Sequence, residues 1–343
     1  MPVLDIFNAD AFSVTTMTEA MREISYVPGR IGELDLFQVE SIDTLDVAIE
    51  KQSAESLLLI PSSPRGGPGD TRDIGRRSLR KLTVPHFQRN DAIYADEVMG
   101  VRAFGSEIAV ETLQGKIARK AAVHSQDFAL TEEYHRLSVI KSGILFDSDG
   151  TTQIYNYATE FGESLPAEVD FDLDNTSPAA GVLRRRCAVL LRAMADSLGG
   201  LPFRGVMVIM GKAFADDFYA HKEVRETYLN YSAAADLRAG YVSTTGKTYG
   251  GFEFGGIVWE EYRGGGSVSV GDDKAHAFPI GVPGLFKTLY APADYIETVN
   301  RPGQRLYAKQ WQKPNDKGVN VEFQMNALHY CTRPRVLMPL RRT

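Results

Sequence analysis

From residue 106 to residue 142 the chain contains no proline and a single glycine, Gly115. Apolar residues Ile108, Leu113, Ile117, Ala121, Phe128, Tyr134, Leu137 and Ile140 stripe this stretch as they would one face of a helix. Unbroken, such a helix spans roughly 55 Å, a length that few compact domains accommodate. The polar run Ser125-Gln126-Asp127 is the one place where the pattern predicts a break. Gly143 ends it, and a hairpin follows with Asp149-Gly150 at its turn. Whatever this chain folds into must be organised along that helix.

The sequence before the helix has no obvious core of its own. Residues 14–25 read as a short amphipathic helix, with Thr16 and Glu19 fitting a capping box and Met17, Ala20, Met21 and Ile24 on one face. Leu34 to Glu40 alternates at period two and predicts a strand. A further strand, Leu57 to Ile60, runs into Pro61-Ser-Ser-Pro64-Arg65-Gly66-Gly67-Pro68-Gly69, which can be neither helix nor inner strand. The chain then returns in extended form from Leu79 to Phe87. Between Arg65 and Arg89, seven basic residues (Arg65, Arg72, Arg76, Arg77, Arg80, Lys81 and Arg89) face two acids, Asp70 and Asp73, giving +5 within a chain of net charge −6. This predicts a long protruding hairpin with a basic tip.

After residue 170 helices and strands alternate. Asn175-Thr-Ser177-Pro178 and Gly199-Gly200 bracket a helix near 178–197. Phe203–Met210 reads as a buried strand, Lys212–His221 and Glu223–Tyr231 as helices, and Phe252–Tyr262, Leu285–Ala291 and Val319–His329 as strands. There is no internal repeat. Cys187 and Cys331 lack metal-like spacing and read as reduced core residues of a cytosolically made chain. The N-terminus carries no basic-then-apolar signal, and apolar runs such as Val206–Met210 are too short to cross a membrane.

Catalytic and metal-binding patterns are weak. Asp170, Asp172 and Asp174 resemble the start of a calcium loop, but no glycine stands at its sixth position and Gly181 replaces the bidentate acid. They read instead as an acidic lead-in to the helix at 178. Glu260 and Glu261 are neighbours on a strand, so they point to opposite faces and read as a solvated strand end; Asp216-Asp217 and Asp272-Asp273 are adjacent in the same way. The six histidines lack ligand spacing, and no nucleophile elbow or phosphate loop is present. Hence no catalytic residue, cofactor or metal is expected. The basic hairpin has three readings: a solvated face, a nucleic-acid contact, or docking on an acidic neighbouring subunit. The net negative charge and the lack of aromatics between Arg65 and Lys81 weigh against nucleic acid. Docking is favoured, with Asp91, Asp96, Glu97 and Glu107 as candidate acidic partners of Arg65, Arg72, Arg76, Arg77, Arg80 and Lys81.

Joint order adds what no single motif supplies. Ile93-Tyr-Ala-Asp-Glu-Val-Met-Gly-Val-Arg-Ala-Phe-Gly-Ser-Glu107, Glu133-Tyr-His-Arg-Leu137 through Asp149-Gly150, and Leu198-Gly-Gly-Leu-Pro-Phe203 are followed by His221-Lys-Glu-Val-Arg-Glu-Thr-Tyr228. Phe254-Gly-Gly-Ile-Val-Trp-Glu-Glu-Tyr262 and Pro279-Ile-Gly-Val-Pro-Gly-Leu-Phe286 through Ala291-Pro-Ala-Asp-Tyr295 complete the series. Across nearly its whole length the chain resembles the lambda-type major capsid protein E family of tailed bacteriophages. That resemblance implies an α+β fold of the Hong Kong 97 capsid type. Its implied parts are an N-terminal arm (1–50), an extended basic hairpin (51–92), a peripheral domain with a spine helix (93–170 and 311–343) and an axial domain (171–310). It implies a structural, non-enzymatic subunit of the virion head. Copies would form hexamers and pentamers of an icosahedral shell around DNA held without sequence-specific contacts. A portal and a separate scaffolding protein are the implied partners, since no scaffolding segment precedes the arm; whether a decoration protein binds stays open. Covalent cross-linking between subunits is not carried over from other members of the fold. Two other classes remain open at this point: a hydrolase with an unrecognised site, and a nucleic-acid-binding module using the 65–89 loop.

Overall fold

A computed structural model describes residues 29–52, 77–97, 113–230, 251–264 and 266–343. The expected helix at 14–25, the strand Leu57–Ile60, the proline- and glycine-rich tip, and Arg65, Arg72, Arg76 and Glu107 lie outside those residues.

The long helix is present as Leu113–Ser142 and runs 30 residues, about 45 Å. No break occurs at 125–127, where neighbouring polar side chains are held from outside the helix. Nε2 of His124 lies 3.0 Å from Asp91, and Asp127 pairs with Arg89. The stripe divides between two cores. Ile117, Ala121 and Phe128 pack with Ile93, Val319, Val321, Phe323 and Met325. Leu137, Val139 and Ile140 enter a larger core that runs through Leu183, Trp259 and Leu340. The helix therefore joins strands far away in sequence, including the expected C-terminal ones; the Leu113 side chain lies outside the description. Gly143 ends it with φ 63°, its N–H donating to the carbonyl of Val139 at 2.8 Å. The hairpin Ile144–Phe146/Gln153–Asn156 follows, turned at Asp149-Gly150. Asp149 accepts the backbone N–H groups of Thr151 and Thr152.

One sheet is built on the 14-residue strand Gly318–Cys331. His86–Tyr94 and Tyr307–Gln312 both pair antiparallel with residues 319–324 of that strand, so they flank it from opposite sides. Residues 327–331 pair antiparallel with Phe286–Tyr290, which in turn pairs parallel with Phe37–Ser41. The second sheet has the order Val169–Asp170, Met338–Arg341, Lys274–Ile280, Gly205–Met210, Ile257–Glu261, Gly251–Phe254. Its middle strand Gly205–Met210 is buried at every position after Gly205. Such a continuous apolar run is what a strand covered on both faces needs. Trp259 stacks on Phe218 at 4.3 Å and meets Phe171 edge-on at 5.6 Å.

Two expectations change. The helix expected from 178 begins at Val182: Gly181 before it has φ 78°, and the N–H groups of Leu183 and Arg184 are capped by Glu223 from the helix Lys222–Asn230. The segment Phe252–Tyr262 is a hairpin rather than one strand. It is turned by Gly255-Gly256, whose φ values of 63° and 78° suit a two-residue turn that glycine alone enters freely. Met338–Arg341 pairs with Lys274–Ile280 in the second sheet, while Phe286–Tyr290 and Tyr307–Gln312 belong to the first.

Candidate functional site

Asp46–Gln52 and Arg77–Thr83 form an antiparallel ribbon with Asp46 opposite Thr83 and Gln52 opposite Arg77. Its root is fastened to the body. The Tyr155 hydroxyl accepts from the N–H of Thr83 and donates to its carbonyl at 2.9 and 2.8 Å, and Leu82 is buried. Lys81 reaches Asp46 at 2.7 Å across the ribbon and, with the Thr83 hydroxyl, holds that carboxyl below its usual range. Leu79 and Arg80, farther out, are exposed. The two strands pair with no other described strand. Of the six basic residues singled out by sequence, Lys81 thus has a partner within the ribbon and Arg80 points to solvent; the Arg77 side chain, like Arg65, Arg72 and Arg76, is outside the description.

The candidate acids are engaged inside their own chain. Asp91 lies 2.7 Å from Lys120 and 3.0 Å from His124, and Glu97 lies 2.6 Å from Lys116, all on the long helix. Asp96 accepts the N–H of Glu97 at 3.1 Å. Sequence proximity to the basic run made these acids plausible partners. The structure instead gives Asp91 and Glu97 to the lysines of the helix they neighbour.

A buried polar junction, missed from sequence, ties the helix to both sheets. Glu132 is fully buried and accepts from the Tyr290 hydroxyl at 2.6 Å and from Arg305 at 2.7 Å, with Arg136 3.8 Å away. Glu133 accepts from the N–H groups of Ile31 and Gly32 at 2.7 and 3.0 Å and from the Tyr262 hydroxyl at 2.9 Å. Glu260 is not a solvated strand end: it is 1% exposed and meets Arg30 through two contacts of 2.5 and 2.7 Å. Glu261 lies 3.5 Å from Arg263. The signal that could have found this junction is long-range charge pairing, which one sequence does not display. Glu132→Ala should lower unfolding free energy by about 3–5 kcal/mol, because Arg305, Arg136 and the Tyr290 hydroxyl would lose their shared acceptor. Urea unfolding measures this, and a loss below about 1 kcal/mol would show that water replaces the carboxylate.

No reacting arrangement is assembled from these groups. Asp170 pairs with Arg341 at 3.0 Å and Asp172 lies 3.5 Å from Arg186, so these acids meet side chains and not a helix N-terminus. Among the described residues no three His, Cys, Asp or Glu side chains converge as metal ligands. Two open clefts of about 310 and 320 Å³ flank the long helix. In the first, Lys141 donates to the Ser269 carbonyl while Ser138 and Ser142 donate to carbonyls of their own helix. In the second, the Glu132 carboxylate is taken up by Arg305 and Tyr290.

A 30-residue helix packed on two sheets, with a separate two-stranded ribbon seated beside them, is the architecture of the Hong Kong 97 capsid fold. The sequence pattern of the family described as phage major capsid protein E matches residues 13–341. The chain belongs to that family, as a major capsid protein of the phage head. It is 28% identical to the major capsid protein of Pseudomonas phage KPP10, with 95% of this chain and 96% of the relative covered. It is 25% identical to that of Salmonella phage Felix O1, with 96% of each covered. The capsid asymmetric unit of cyanophage A-1(L) shares the fold, with a TM-score of 0.52, 13% identity, and coverage of 93% of this chain and 94% of that one. No helix among the described residues is long and apolar enough to cross a membrane.

Proposed function

We propose that copies of this chain assemble as hexamers and pentamers into an icosahedral head shell, each basic ribbon lying on an acidic surface of the neighbouring subunit. The observation that carries this is the ribbon itself. Isolated two-stranded ribbons are marginal in water, yet this one pairs with no other described strand and exposes Leu79, 67% accessible, beside Arg80. Val47, Ile49 and Leu82 seat its root on the large core, so the outer part, with Leu79 and Arg80, is what a neighbouring molecule would cover. The second sheet and its helices would surround the ring axes, and the first sheet with the long helix would form the periphery. The role is structural, with no catalytic step. A scaffolding protein and a portal are proposed as further partners, with packaged DNA against the inner face and a decoration protein as an optional outer one.

Sedimentation velocity and negative-stain microscopy of the full chain test this, with and without co-expressed scaffolding protein. Rings of five and six copies, or closed shells, are expected. A chain that stays monomeric under both conditions would overturn the proposal.

A further inference from the structure

Arg136 carries a nearly buried charge that its surroundings leave short of partners. Its side chain is 11% exposed, and its nearest carboxylate among the described residues, Glu132, stands 3.8 Å away, beyond hydrogen-bond reach. Glu132 is already occupied. One of its oxygens accepts from the Tyr290 hydroxyl at 2.6 Å, the other from Arg305 at 2.7 Å. Nε of Arg136 has no hydrogen-bond partner and is shut off from solvent. The guanidinium lies over the Phe37 ring, 5.8 Å from its centroid. A cation removed from water is ordinarily both paired and hydrogen-bonded, because desolvation is costly.

A second oddity meets Arg136 in the same place. Arg136 lines the cleft of about 320 Å³ beside the long helix, together with Leu36, Phe37 and Val39. The strand Phe37–Ser41 is the outermost of its sheet, paired with Phe286–Tyr290 on one side. Phe37 and Val39 point to the same face of that strand. Phe37 is buried, whereas Val39 is 55% exposed. The cleft therefore has a cationic floor and an apolar wall that runs out to solvent. Asp35 lines it as well, but is exposed and not ion-paired with Arg136. With Glu132 answered by Arg305, Arg136 is left to attract a singly charged ligand, while Asp35 would repel a doubly charged one.

We propose that this cleft binds a carboxylate carried on a short apolar chain, the carboxylate against the Arg136 guanidinium and the chain along Phe37 and Val39. Guanidinium and carboxylate match in shape, and two parallel N–H···O bonds can join them. The cleft's volume stands at the lower end of the roughly 300–1,000 Å³ typical of small-ligand sites. The inference does not depend on how subunits assemble.

Sodium pentanoate is the probe, with its binding to the full chain read by saturation-transfer NMR and 1-pentanol as the uncharged control. Pentanoate should bind, and an equal concentration of 1-pentanol should not displace it. Arg136→Gln should weaken pentanoate binding about tenfold or more. Arg136→Lys, which keeps the charge and loses the planar fork, should fall between the two. Val39→Glu places a negative charge on the apolar wall at an exposed position, and should weaken binding by a similar factor. It decides the matter even where Arg136→Gln does not fold. Unchanged binding in Val39→Glu, or displacement of pentanoate by 1-pentanol, would overturn the proposal. Displacement by an equal concentration of sulfate would also overturn it, by showing that a doubly charged anion is preferred. The same measurement on assembled shells identifies the carboxylate's source. Pentanoate bound there too marks a free acid anion, whereas binding by the unassembled subunit alone marks an acidic side chain of a second copy.

Discussion

Replacing Arg72, Arg76, Arg77 and Arg80 with glutamate is expected to leave the subunit folded and to abolish shell assembly. The change moves the charge of residues 65–89 from +5 to −3, turning attraction to an acidic neighbour into repulsion. Each exposed ion pair contributes only about 0.2–1 kcal/mol, but in the proposed shell the same pairs would recur at every interface. Folding should be spared, because the ribbon's distal strands pair only with each other among described strands and Arg80 already faces solvent. Circular dichroism and melting temperature measure the first half, sedimentation and microscopy the second. Raising salt should weaken assembly of the unaltered chain in the same direction, since exposed charges are screened within about 8–10 Å at physiological ionic strength. Shells of normal size and yield from the variant would show that the arginine run is only a solvated face.

What the sequence revealed was local. The long helix, the turn at Asp149-Gly150 and the strand around Val319–His329 were legible because periodicity and turn chemistry report on neighbours in the chain. The strand Lys274–Ile280 escaped notice although it lies inside the second sheet. Lys274-Ala-His-Ala-Phe-Pro-Ile holds a histidine in mid-strand and a proline near its end. Proline removes a ladder donor and argues against an inner strand; here Pro279 sits one residue from the strand's end, opposite Val206. The place of Met338–Arg341 in the second sheet was not legible for a different reason. The chain passes from one sheet to the other within the few residues after Cys331, and nothing in composition marks that crossing.

The basic run was legible in the sequence, but what the nearby acids meet was not. Asp91 and Glu97 were chosen for closeness in sequence, whereas Lys116 and Lys120 reach them from the long helix. Glu260 was misjudged because an acidic pair at a strand end is ordinarily solvated. Its partner Arg30 lies at the other end of the chain, so neither burial nor pairing could be read locally. Family membership, by contrast, was visible in the order of stretches none of which is a motif by itself.

Acidification from pH 6.5 to pH 4.5 is expected to destabilise the subunit before its carboxylates titrate, and buried histidines are the cause. The His135 ring is fully buried, 4.9 Å from Phe87 and 6.0 Å from the ring of His329, and neither of its nitrogens has a hydrogen-bond partner. Burial pushes its pKa down to about 4, against the opposing pull of Glu132 and Asp147. Burial likewise depresses His329, aided by Arg136, His135 and Arg305, and brings His276 to about 3, aided by Lys141 and Lys274. A histidine with a depressed folded pKa is protonated first in the unfolded chain. Its contribution is therefore whole above about pH 6.5, falls as pH drops toward the folded value, and is level below it. For His135 alone the full loss is about 3 kcal/mol, at about 1.4 kcal/mol per unit of pKa difference. Asp46 and Glu97, whose folded values are lowered, add their losses only below the ordinary carboxylate range. Urea unfolding at pH 7, 6, 5 and 4.5 should thus show a falling free energy whose slope approaches one proton less in His135→Leu than in the unaltered chain. An identical pH dependence in the two proteins would remove His135 from the account and leave His329 and His276 to explain any loss that remains.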